Sequence, residues 1–193
     1  MKFRLALLAT LSTVLALGAC RDPIELQATR ETLTDTLSVY ALSGTPPGYP
    51  SALSIIARAL VPVSGFGGFD VAFDIDASNR VLVHAARRVV SFGPLVPQVG
   101  LQIVPGTFES IAAAPVTGYK VDSTIVASVG DVIVLEAVHN NGEADACTFA
   151  LSPNLYAKIS IDTVFLASRT IKFRLAFDPN CGYRSFAPGI PTD

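Results

Sequence analysis

Two alternating runs near the C-terminal end constrain this chain most. In residues 156–164, Ile159 and Ile161 share one face, while Lys158, Ser160 and Asp162 share the other. In residues 170–177, Ile171, Phe173, Leu175 and Phe177 share a face opposite Lys172 and Arg174. A side-chain period of two belongs to a strand with one buried face. Ala167-Ser168-Arg169 supplies a turn between the runs. The pair therefore predicts a β-hairpin with Lys158, Ser160 and Asp162 in water.

The same period recurs upstream. Residues 32–42 alternate, with Leu33, Leu37 and Val39 on one side beside Asp35 and Thr34, Thr36, Ser38 and Tyr40 on the other. In residues 69–76, Phe69, Val71, Phe73 and Ile75 are expected inside and Asp70, Asp74 and Asp76 outside. Asn79 suits a left-handed turn, after which residues 80–84 return as a partner strand. The proline-rich stretch 44–50 reads as a loop, since consecutive prolines cannot donate to a ladder. Residues 52–63 fit strand or short helix, and the neighbouring strands favour β. Val89 and Val90, after Arg87-Arg88, read as a short strand ended by Gly93-Pro94. Two arginines beside a membrane could touch anionic headgroups. Such binding usually takes about four to eight bases, so a solvated strand end is the preferred reading. Strands are also expected over 99–104, 119–127 and 132–138, with Gly130-Asp131 turning into the last of these.

Short strands at intervals of about 8–12 residues predict an all-β fold, an antiparallel β-sandwich or partly closed β-barrel of about 8–10 strands. A membrane-spanning barrel is disfavoured, because aromatic girdles and an aromatic C-terminal strand end are missing from the sequence.

The first twenty residues, MKFRLALLATLSTVLALGAC, have a different character. Lys2 and Arg4 precede thirteen apolar or small residues, 5–17. A basic start, an apolar run and small residues before a cleavage point form a secretory signal pattern. The run is short of the roughly 20 residues a transmembrane helix needs. Leu17-Gly18-Ala19-Cys20 resembles the bacterial lipobox. That resemblance implies a bacterial lipoprotein: a signal helix over 1–19, cleavage after Ala19, a diacylglyceryl group on Cys20 and an acylated new N-terminus. Several buried acyl chains anchor stably where one holds only marginally. Arg21, standing where Asp resembles an inner-membrane retention signal, favours the outer membrane. The expected organisation is therefore signal 1–19, lipidated Cys20 and tether to 28, one β domain over 29–187 and a loose tail over 188–193.

Without the signal, 174 of 193 residues remain, enough for one well-buried domain. Losing Lys2 and Arg4 leaves 12 basic against 16 acidic side chains, a net charge near −4. No basic block is present, so nucleic acid is not an expected partner. Of three cysteines, a lipidated Cys20 would leave Cys147 and Cys181, which an oxidising compartment would pair as a disulfide.

Signs of chemistry are sparse. There is no Gly-x-Ser-x-Gly elbow, and Gly65-Phe66-Gly67-Gly68 lacks the lysine of a phosphate loop. Asp74, Asp76 and Ser78 suggest a calcium loop, but Asn79 replaces its glycine and Ala85 its closing glutamate. His84 reads as a sheet residue. His139, Glu143 and Asp145 are weak candidate metal ligands on the most polar loop, 139–146. No cofactor and no catalytic residue is expected. The expectation is a lipid-anchored envelope protein, most simply a non-catalytic binding or structural module, using sheet edges or loops 43–51 and 139–146. The alternatives are a barrel sheltering a small apolar ligand such as a lipid, and, behind that, an enzyme of unrecognised type.

Overall fold

The computed structural model describes residues 27–63, 68–90, 96–139, 147, 150 and 152–191. Cys20, Glu143 and Asp145 lie outside the described residues, as do the signal helix and Gly93-Pro94. Among the described residues there are eleven strands. They are β1 (Leu33–Tyr40), β2 (Ala52–Ser54), β3 (Ala59–Val61), β4 (Val71–Ile75), β5 (Val81–Ala85), β6 (Gln98–Val104), β7 (Lys120–Val121), β8 (Thr124–Ala127), β9 (Val132–Val138), β10 (Asn154–Phe165) and β11 (Thr170–Asp178). One turn of helix, α1 (Ala86–Val89), follows β5.

The strands form two antiparallel sheets that stay open, which is a β-sandwich and not a closed barrel. One sheet runs β1-β11-β10-β9-β6-β7 and the other β3-β2-β4-β5-β8. The inner faces meet in a continuous core that includes Val39, Leu53, Val71, Phe73, Val83, Leu101, Ile133, Leu135, Ile159, Ile161 and Phe173. Phe73 from one sheet stacks on Phe173 from the other, with centroids 5.0 Å apart. An offset aromatic pair at that spacing adds to the area it buries.

The β10–β11 hairpin forms with Ile159 opposite Leu175 and Ile161 opposite Phe173, and Arg169 in its turn takes φ 50°. Asn79 sits at φ 63°, as its turn requires. Residues 52–61 form a small hairpin, β2–β3. Residues 128–131 turn the chain from one sheet to the other, because β8 pairs with β5 while β9 pairs with β6 and β10.

Several expectations are corrected. Asp70 is buried at 1 % exposure, not outside. Phe69 is buried on the outer side of its sheet, with Ala52, Ala72, Ala86, Val90 and Val96. Arg87-Arg88 lie in α1 and not before a strand, and α1 helps to cover that outer face. Lys158 and Ser160 are also buried, at 3 % and 2 %. The reason is a second covering layer. The excursion between β6 and β7 and the C-terminal segment lay Ile111, Ala114 and Phe186 over Val132, Val134 and Tyr156 on the outside of the larger sheet. Strands covered on both faces cannot keep a simple polar outer face. The described part of the tail is also fastened: the Gly189 carbonyl accepts from the Thr32 N–H at 3.0 Å.

Register places the chain ends. Leu33 pairs with Phe177, Tyr156 with Asp178, and Val138 with both Asn154 and Gln98. The start of the described chain, the end of β9 and the end of β11 therefore share one pole. At the opposite pole the Arg169 side chain, from the β10–β11 turn, bonds the Ser43 carbonyl, Asp74 and the Ile75 carbonyl.

Candidate functional site

The pole at residue 27 gathers most of the polar groups of interest. Cys147 and Cys181 are joined there in a disulfide, with Cα atoms 5.7 Å apart. Asn180, next to Cys181, holds the incoming chain. Its side-chain oxygen accepts from the Thr29 and Arg30 N–H groups, and its amide donates to the Arg30 carbonyl. The Tyr183 hydroxyl accepts from the Ala28 N–H at 2.9 Å.

His139 directly follows β9 and meets Asp70, which precedes β4, so their contact ties the two sheets together. Nε2 of His139 lies 2.7 Å from Oδ1 of Asp70, with both side chains almost fully buried. The other Asp70 oxygen accepts from the Ile55 N–H at 2.6 Å. Both carboxylate oxygens are thus occupied, and the Asp70 carbonyl accepts from the Ala86 N–H at the start of α1. One residue therefore joins β2, β4, α1 and β9. The sequence reading missed Asp70 because the period-two pattern, carried back from Val71, turns it outward. An acidic residue immediately before an apolar strand, with a histidine elsewhere in the chain to meet it, was the only available signal.

Of the three candidate metal ligands, only His139 is described, and its Nε2 faces Asp70. Among the described residues there is no group of three or more metal-ligating side chains. The Asp74, Asp76 and Ser78 stretch is committed to protein donors. Burial pushes the Asp74 carboxyl up, but bonds from the Ser43 hydroxyl and N–H, the Ile75 N–H and the Arg169 charge outweigh it and leave it below its ordinary value. Asp76 accepts from the Arg80 and Ser78 N–H groups and pairs with the Arg80 guanidinium, which also holds it low. His84 lies in the sheet, 2.8 Å from the Thr124 hydroxyl, and burial lowers its pKa.

The outer face of the larger sheet holds a second polar cluster. Asn154 and the Tyr156 hydroxyl both donate to one oxygen of Glu136, at 2.6 and 2.9 Å. Burial and the Glu136 charge raise the pKa of Tyr156 and Tyr119. Beside this cluster, the Lys158 ammonium donates to the carbonyls of Phe108 and Ile111 and lies over the rings of Phe108 and Phe186. Burial lowers its pKa. Its role is to clamp the excursion onto the sheet: an ammonium leaves water only when carbonyls and aromatic faces replace its hydration.

No family model matches the chain, and neither a curated protein nor a solved structure matches it.

Proposed function

We propose that this chain is a lipid-anchored cell-envelope protein whose β-sandwich acts as a non-catalytic binding or structural module. The observation that carries this reading is Leu17-Gly18-Ala19-Cys20 behind an apolar run, with the remaining two cysteines joined to each other. A disulfide suits an exported protein. In this reading Cys20 carries the lipid, and the outer membrane is favoured over the inner. The polar side chains of the sandwich are engaged in holding layers together: Asp70 and His139 link the sheets, Lys158 clamps a covering segment, and Asp74 and Arg169 join the opposite pole. The direct stacking of Phe73 on Phe173 favours a binding surface outside the sandwich over a ligand held within it.

Cross-linking in membranes followed by affinity capture tests the module reading. A partner recovered reproducibly with the native protein is the expected result. A demonstrated turnover by the purified protein, with no reproducible partner, would overturn it.

A further inference from the structure

Which end of the sandwich faces the membrane follows from reach and charge. The argument rests on the lipid-anchor reading above. Six residues lie between Cys20 and Gln27, which makes seven Cα-to-Cα steps. Fully extended they span at most about 25 Å. The longest strand, β10, has 12 residues, so the two poles stand roughly 40 Å apart. Gln27 enters at the pole of Asn180 and the disulfide. An inverted domain would lift Gln27 beyond the reach of its tether, so the entry pole stays close to the bilayer.

Among the described residues, that pole also differs from the other in how its arginines are paired. Arg30, Arg58 and Arg88 are exposed there. Arg58 belongs to the β2–β3 hairpin tip and lies 5.6 Å over the ring of Phe177. Arg88 is in α1, which follows the last residue of β5 and is bonded through Ala86 to Asp70. Among the described residues none of these three arginines has a carboxylate partner, whereas Arg80, Arg169 and Arg174, away from this pole, are all in ion pairs. Arg87 is paired with Asp122, and among the described residues the exposed acid of the entry segment is Glu31; the sequence adds Asp22 and Glu25 before it and Glu143 and Asp145 between His139 and Cys147. Ile56, beside Arg58 at the hairpin tip, leaves 44 % of its surface in water.

We infer that this pole seats on an anionic lipid headgroup surface, with Arg30, Arg58 and Arg88 engaging phosphates and Ile56 resting at the interface. Guanidinium groups match phosphate oxygens in paired hydrogen bonds. Three arginines are too few to recruit a free protein, but the anchor has already brought the domain to the surface. Each then only biases orientation, by about fivefold. The opposite pole, with the 43–50 loop and the β10–β11 turn, is held outward.

The test uses the full lipidated protein in vesicles of phosphatidylglycerol with phosphatidylcholine, and in phosphatidylcholine alone. Modification of arginines by phenylglyoxal is followed peptide by peptide. Arg58 and Arg88 should react several-fold more slowly on the anionic vesicles, with Arg80 unchanged, and the protection should fade as salt is raised. Equal rates on both vesicles would overturn the inference. The intact mass of the same sample separates the two failures. A lipidated Cys20 with equal rates sinks the orientation alone, whereas an unlipidated Cys20 sinks the anchor and the orientation with it.

Discussion

Asp178 lies at the end of β11 with 0 % exposure. One of its oxygens accepts from the Asn180 N–H and side-chain amide, at 2.8 and 2.6 Å. The other is buried and, among the described residues, has no hydrogen-bond partner. The register that pairs Leu33 with Phe177 brings Thr32 alongside, and among the described residues the buried Thr32 hydroxyl oxygen also has no partner. Burial raises the Asp178 pKa above its ordinary 3.8, outweighing the two Asn180 bonds. Asp178→Asn keeps a carbonyl oxygen for Asn180 and replaces the orphaned, charged oxygen with a neutral amide group. Leaving a buried acceptor unsatisfied costs about 1–3 kcal/mol, so the variant should gain an amount of that order at neutral pH. For a domain of this size, each kcal/mol shifts Tm by about 2–4 °C.

The sign with pH follows from linkage. A group whose folded pKa is raised contributes stability below its unfolded pKa and loses it as pH rises through the folded value. The wild type should therefore weaken relative to the variant as pH rises from about 4 towards neutrality, and the two should converge in acid. Thermal melts of both proteins from pH 3.5 to 7.5 measure this. A variant less stable than the wild type at pH 7, or a difference independent of pH, would refute the reasoning.

Three further outcomes are expected. His139→Ala leaves the buried Asp70 carboxylate facing an empty space and should cost about 3–5 kcal/mol in urea unfolding; a loss under 1 kcal/mol would show that the bridge between sheets is dispensable. Reducing the Cys147–Cys181 bond, which closes a separation of 34 residues, should remove about 3–4 kcal/mol, and an unchanged urea midpoint in dithiothreitol would contradict this. Gly100→Ala would place a Cβ 2.8 Å from the Cβ of Tyr119 and should cost about 1–3 kcal/mol, whereas a neutral result would mean that the covering excursion moves freely.

What could be read from sequence depended on whether its cause was local. The β10–β11 hairpin, the Asn79 turn and the proline loop are set by neighbouring residues: apolar alternation, a residue tolerant of positive φ, and missing N–H donors. Cysteine arithmetic was enough to pair Cys147 with Cys181. The second layer was not legible. Nothing beside Lys158 announces that residues 108 and 111, some fifty positions away, will supply its carbonyl partners. Asp70 looked like an outward residue because its partner, His139, is brought to it only when the two sheets pack. The unbroken apolar run Val132-Ile133-Val134-Leu135, which reads as a buried strand, was the one visible sign of a cover. The candidate site was legible only in part. His139 was singled out, but for a loop of acidic ligands and not for the aspartate it meets.

The central claim is the anchor at Cys20, and metabolic labelling with palmitate in bacterial cells expressing the chain tests it most directly. The native protein should incorporate label and remain with the membranes, and Cys20→Ser should lose both label and membrane association. Label persisting in the Cys20→Ser variant, or a native protein that never incorporates it, would contradict the account.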